Sequence, residues 1–92
     1  MQEQIRTFVL AALAEMNYDV DDVTGDTDLG PAGLDLESLA LAELSVQVED
    51  EFGVKFDLDE METTALMTLD QFTADVARRV AANAAAAAGS AA

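Results

Sequence analysis

Between Ser38 and Phe52 the apolar residues fall on two stripes at helical spacing, and that pattern restricts the fold more than any other stretch of the 92-residue chain. Leu41, Leu44, Ser45, Val48 and Phe52 follow the i, i+3, i+4 spacing that places side chains on one face of an α-helix and suits them to a core. Leu39, Ala42 and Val46 make a second stripe, rotated around the same helix and flanked by Glu43, Glu49 and Asp50. A helix with two apolar stripes is either buried on both sides or shows one of them to a partner. In so short a chain the second arrangement is the expectation. Gly53 fits the left-handed residue at which helices commonly end.

The other segments supply what this helix packs against. Ile5, Phe8, Val9, Ala12, Leu13 and Met16 form an unbroken helical face, which predicts a first helix over residues 3–16. Residues 17–37 hold Gly25, Gly30, Pro31 and Gly33 among seven acidic side chains, too polar and too rich in turn formers for a regular element. A loop of that length inside a compact domain tends to be functional or mobile. Val20, Val23, Leu29 and Leu34 are its anchors to the core.

Val54-Lys55-Phe56 reads as a connector, since no partner strand is evident. Asp59 to Leu66 predicts a short helix with Met61 and either Ala65 or Leu66 turned inward. Thr68-x-x-Gln71 is a capping-box signature opening the last helix. Leu69, Phe72, Val76 and Val80 form its buried face, and Arg78 and Arg79 are placed to suit the dipole at its end. After Asn83 the chain is almost all alanine, for which a frayed tail is expected. The outcome is all-α: one domain over 1–82, four helices with a long first loop and a short third helix, and a flexible Ala-rich tail over 83–92.

Composition removes whole classes of function. The chain contains no cysteine and no histidine. It has no disulfide framework, no thiolate metal site and no usual general base at neutral pH. A Ser-His-Asp triad cannot be built from it, and no catalytic or metal-ligating residue is assigned. Nineteen acidic residues against four basic ones give a net charge of −15. That surface repels nucleic-acid phosphates and anionic lipid headgroups, and attracts proteins with Arg and Lys patches. No apolar run approaches the roughly 18 residues a membrane span requires. Met1-Gln2-Glu3-Gln4 lacks the basic region of a secretory signal, so cytoplasmic residence and a monomer are the expectations.

With these elements in place, Gly33-Leu34-Asp35-Leu36-Glu37-Ser38-Leu39-Ala40-Leu41-Ala42-Glu43-Leu44 resembles the attachment region of acyl carrier proteins. That family has Gly-x-Asp-Ser-Leu ahead of a helix with Glu-Leu a few residues on and an acidic-Phe-Gly ending. Ser38-Leu39, Glu43-Leu44 and Glu49-Asp50-Glu51-Phe52-Gly53 match it in register, and the likeness extends over roughly residues 3–82. The departure is Glu37, where most members have aspartate, with Leu36 separating it from Asp35.

The resemblance implies a four-helix acyl-carrier-like bundle and a 4'-phosphopantetheine arm, taken from coenzyme A, on Ser38. A separate phosphopantetheinyl transferase would attach it, because the chain offers no base to activate the hydroxyl. Acyl intermediates would ride as thioesters on the arm, whose thiol would be the sole thiol of the molecule; the core would either shelter them or be ordinary helix packing. Asp35, Glu37, Leu39, Ala42, Glu43, Val46 and Glu49 would form the docking face for acyl-loading and acyl-processing enzymes with basic patches, such as an acyltransferase or ligase and a ketosynthase.

Each of these residues also has a plainer reading. A serine ahead of an apolar helix is most often its N-cap, although Leu41 rather than glutamate stands three residues on, so no capping box forms there. The second stripe could be a solvated face with scattered apolar residues. A calcium-binding module fails on spacing. A loop starting at Asp26 puts Gly30 and Pro31 where the fifth and sixth positions need an oxygen ligand and glycine, and one starting at Asp19 puts Thr24 and Gly30 at the sixth and twelfth. A peptidyl carrier shares the fold and the serine but often has a Gly-Gly-x-Ser-Leu/Ile motif, which Leu36-Glu37-Ser38-Leu39 does not match. A helical adaptor without a prosthetic group is separated by intact mass. Three arginines to one lysine, the alanine content and the Asp35-Leu36-Glu37-Ser38 spacing lean towards a discrete carrier of polyketide or related pathways over fatty acid synthesis.

Overall fold

The computed structural model describes residues 2–57 and 59–91, the side chains of 85–91 excepted. Its elements are α1 (Gln2–Glu15), α2 (Ser38–Phe52), α3 (Glu60–Ala65) and α4 (Leu69–Ala91), with no strand among the described residues. α1 packs on α4 and α2, and α3 lies against α2.

α1 buries Ile5, Val9, Ala12 and Leu13, the stripe its sequence period dictates. It ends where Asn17 turns left-handed, at φ 70°. The Tyr18 N–H then reaches the Leu13 carbonyl at 3.0 Å and the Asn17 N–H reaches that of Ala14 at 3.0 Å. This doubled closure satisfies two carbonyls the helix would otherwise leave open, and asparagine is among the few residues that tolerate the conformation.

α2 runs over the residues its pattern predicts. Leu41, Leu44, Ser45 and Val48 are buried, and the Ser45 hydroxyl is satisfied by donating to the Leu41 carbonyl at 2.9 Å. Gly53, at φ 69°, stops the helix and donates its N–H to the Glu49 carbonyl. Phe52 meets Phe8 edge to face with ring centroids 5.4 Å apart, joining α2 to α1.

The long first loop is strapped to the start of α4. Leu29 is fully buried, with Val20, Val23 and Leu34 packed against the core around it. Its N–H donates to the Met67 carbonyl at 3.0 Å, while the Leu69 and Asp70 N–H groups donate to Thr27 and Gly25 at 2.9 Å. A single antiparallel bridge, Asp28 to Thr68, results. Farther on the loop folds over itself: Leu34, Asp35 and Leu36 donate to Asp28, Gly30 and Leu29. Gly33 is required there, since a Cβ would overlap the Asp28 carbonyl oxygen, a backbone atom that cannot step aside.

Two details differ from the sequence expectations. In α3 the inward residue is Thr64, Ala65 is half-buried, and Leu66 is 80 % exposed. A helix of six residues has room for one contact turn, and the closing residue beyond it swings outward. Second, Arg78 and Arg79 do not serve a helix end. α4 continues past them to Ala91, as the high helix propensity of alanine allows. The two arginines bind Asp75 one turn back instead. The plainer reading of Ser38 as the cap of α2 is not met. That position is held by Glu37.

Candidate functional site

Ser38 is the first residue of α2 and is exposed. The residue ahead of it, Glu37, has extended backbone, φ −70° and ψ 158°, and makes no side-chain hydrogen bond to the helix it opens. Glutamate lies outside the set of short side chains that close a helix start well. The opening N–H groups of α2 are therefore left without a side-chain partner, at the positive end of the helix dipole. An ester of phosphoric acid on Ser38 would meet both.

The approach to Ser38 is built by the folded loop. Leu34 and Leu36 are half-buried while Asp35 between them is exposed with φ 53°, a left-handed conformation uncommon outside glycine and tolerated by aspartate. That one turn absorbs the additional residue between Asp35 and Ser38. It keeps both leucines on the core and leaves Asp35, Glu37 and Ser38 outside.

The remaining residues of the predicted docking face divide between two concavities. Glu37, Leu39 and Glu43 line a groove of about 340 Å³ together with Ala40 and with Glu15, Met16 and Tyr18 from the end of α1. Ala42, Val46 and Glu49 line a second cleft, of about 170 Å³, with Ser45 on α2, Phe56 and Asp57 on the connector and Met61 on α3. Leu39 and Val46 are 78 % and 54 % exposed. Asp35 belongs to neither concavity. Glu49 differs from the others in being half-buried, with one carboxylate oxygen accepting the Phe56 N–H at 2.7 Å.

The α1 residues beside Ser38 were not legible as site residues, because nothing local in Glu15-Met16-Asn17-Tyr18 marks a groove; only the closure of α1 on α2 makes one. The Arg79 cluster behind the second cleft was missed as well. Its signal was present in the spacing of Asp75 and Arg79, four residues apart on a helix.

No helix of the described residues is long and apolar enough to cross a membrane. No group of three or more metal-ligating side chains occurs among them. Neither the curated proteins nor the solved structures compared with the chain gave a match. The family model described as phosphopantetheine attachment site does match, over residues 7–76, and so takes in α1 from Thr7 onward, the first loop, α2, α3 and the start of α4. Domains of this family carry a covalent 4'-phosphopantetheine, are modified by a phosphopantetheinyl transferase, serve biosynthetic enzymes and catalyse nothing themselves. By its four-helix fold and by this match, the chain belongs to the acyl carrier protein family, a carrier built around a phosphopantetheine attachment site.

Proposed function

We propose that Ser38 is the residue that takes the arm, and that the protein presents acyl thioesters to the enzymes of a polyketide or related specialised-metabolite pathway. The observation that carries this reading is the position of Ser38: exposed, first in α2, and freed from capping because Glu37 stands at the cap. Its hydroxyl is open to an outside enzyme, and the fold has no use for it.

Asp35, Glu37, Leu39, Ala42, Glu43, Val46 and Glu49 form the docking face. The carboxylates speed encounter with basic partners, and the exposed Leu39 and Val46 settle the contact by excluding water. The partners are a loading acyltransferase or ligase and a ketosynthase, met by a cytoplasmic monomer whose carrier domain spans 1–82. An acyl cargo is favoured over an aminoacyl one because Leu36-Glu37-Ser38-Leu39 does not match the Gly-Gly-x-Ser-Leu/Ile motif common in peptidyl carriers, and because of the net charge of −15.

Intact mass after incubation with coenzyme A, magnesium and a promiscuous phosphopantetheinyl transferase tests the assignment. The wild-type chain gains one phosphopantetheine. Ser38→Ala gains none and melts as the wild type does, since an exposed side chain away from any cap changes stability by less than about 0.5 kcal/mol. Modification that persists in Ser38→Ala overturns the assignment. The thioester found on protein from its native host identifies the cargo.

A further inference from the structure

Arg79 connects more of the molecule than any other side chain behind the second cleft. Its side chain is 21 % exposed, and it pairs with Glu60 at the start of α3. Its Nε donates to Asp75 Oδ2 at 2.9 Å, its Nη1 donates to the Lys55 carbonyl at 2.7 Å, and its guanidinium lies 4.5 Å from the centre of the Phe56 ring. Phe56 in turn stacks on the buried Phe72 of α4, with centroids 6.0 Å apart. From the other side Glu49 of α2 holds the Phe56 N–H, and Asn83 of α4 donates to the Gly53 carbonyl at 2.9 Å.

α3 has little else to hold it. It is six residues long and Thr64 is its one buried residue, and a helix that short does not persist on its own. Among the described residues, neither α3 nor the connector has a backbone ladder to α2. Their wall of the cleft, made of Phe56, Asp57 and Met61, faces α2 across the contact of the Ser45 hydroxyl with the Met61 sulfur at 3.7 Å.

We propose that Arg79 is a clasp: by gripping Glu60, the Lys55 carbonyl and the Phe56 ring at once, it fixes α3 and the width of the α2–α3 cleft, and its release opens that cleft while α1, α2 and α4 stay folded. Acid and salt are the natural releases. The Glu60 carboxyl is held below its ordinary value chiefly by its hydrogen bond from Arg79, against a smaller opposing effect of burial. A carboxylate of that kind contributes stability that is present above its ordinary pKa and is lost as the pH falls through its lowered one. The clasp therefore holds at neutral pH and loosens as the pH falls through the lowered value of Glu60, beneath the ordinary carboxylate range. The groups around Arg79 and Glu60 are Asp75 and Arg78 on α4, the Asp57 N–H and Lys55 carbonyl on the connector, and Glu49 on α2 behind Phe56. Salt screens the half-exposed Glu60 arm more than the Asp75 arm, whose carboxylate is 9 % exposed.

Oxidation of methionine by dilute peroxide in the full-length chain reads the opening. Met61 lines the cleft, and Met16, in the groove beside Ser38, serves as reference. Peptide mass spectrometry follows both in the wild type, Arg79→Met, Glu60→Gln and Arg78→Met. The clasp predicts that Met61 oxidises roughly fivefold faster or more in Arg79→Met, and roughly two- to threefold faster in Glu60→Gln, since one charged hydrogen bond of several is lost. Met16 keeps its rate in both, Arg78→Met behaves as the wild type, and acid or high salt accelerates Met61 in the wild type but not further in Arg79→Met. Equal acceleration of Met61 and Met16 would mean general loosening and would overturn the proposal, as would an unchanged Met61 rate in both variants. If Arg79→Met does not fold, Glu60→Gln decides alone, because Glu60 sits at the surface and its loss leaves the core intact.

Discussion

Where α4 begins, Thr68 and Gln71 close the helix reciprocally. The Thr68 N–H donates to Gln71 Oε1 at 2.9 Å, and the Gln71 N–H donates to the Thr68 hydroxyl at 3.2 Å. The first loop binds the Leu69 and Asp70 N–H groups beside them, and Leu69 and Phe72 are buried directly behind. Where α2 begins, Glu37 makes no side-chain hydrogen bond and Ser38 is exposed. Both helices follow a turn-rich stretch and both start with a polar residue ahead of an apolar stripe. One start is sealed by three kinds of contact, and the other is open to any group that brings oxygens to its N–H donors. The start that holds the fold together is closed by its own chain, whereas the one at which modification is proposed is left incomplete.

The difference can be broken from either side. The largest effect is expected at the sealed end: Phe72→Ala removes the largest fully buried side chain and should cost about 3–5 kcal/mol, read by chemical denaturation. Such a loss is a large part of the stability of a domain this size. A drop under about 1 kcal/mol would mean that the core behind the capping box is not where the fold is held. Thr68→Ala comes next. It removes the hydroxyl that takes the Gln71 N–H and should cost about 1 kcal/mol.

The smallest effect is expected at the open end and has the opposite sign. Glu37→Asp supplies a short carboxylate able to reach the free N–H groups of α2, and should raise stability by about 0.5–1 kcal/mol. In thermal unfolding that corresponds to a rise of a few degrees. Unchanged melting in Glu37→Asp would mean that the start of α2 is already satisfied, and the contrast between the two helices would disappear.

Much of this organisation was legible in the chain because it depends on neighbours three or four residues apart. The limits of α2, the left-handed Gly53, the reciprocal Thr68 and Gln71 bonds and the inward set Leu41, Leu44, Ser45 and Val48 are all of that kind. So is the register of Ser38-Leu39 with Glu43-Leu44. The misreadings fell where the deciding contact is distant in sequence. Leu66 is as apolar as Leu69, yet the first is exposed and the second buried, because the turn between α3 and α4 aims only one of them at α1 and the loop. Arg79 reads as a dipole partner until α3 and the connector are set beside it, 19 and 24 residues away.

By itself the sequence determined that the chain is helical, acidic and without histidine or cysteine, and that one serine stands at the head of the helix with two apolar stripes, since period, charge and residue type are local properties. Only the tertiary structure decided that Glu37 and not Ser38 occupies the cap, that Asp35 turns left-handed to set both leucines inward, and that Arg79 ties α4 to α3. Those outcomes depend on which surfaces remain uncovered once Leu29, Phe72 and Val48 have been buried together, and no window of neighbouring residues contains that information.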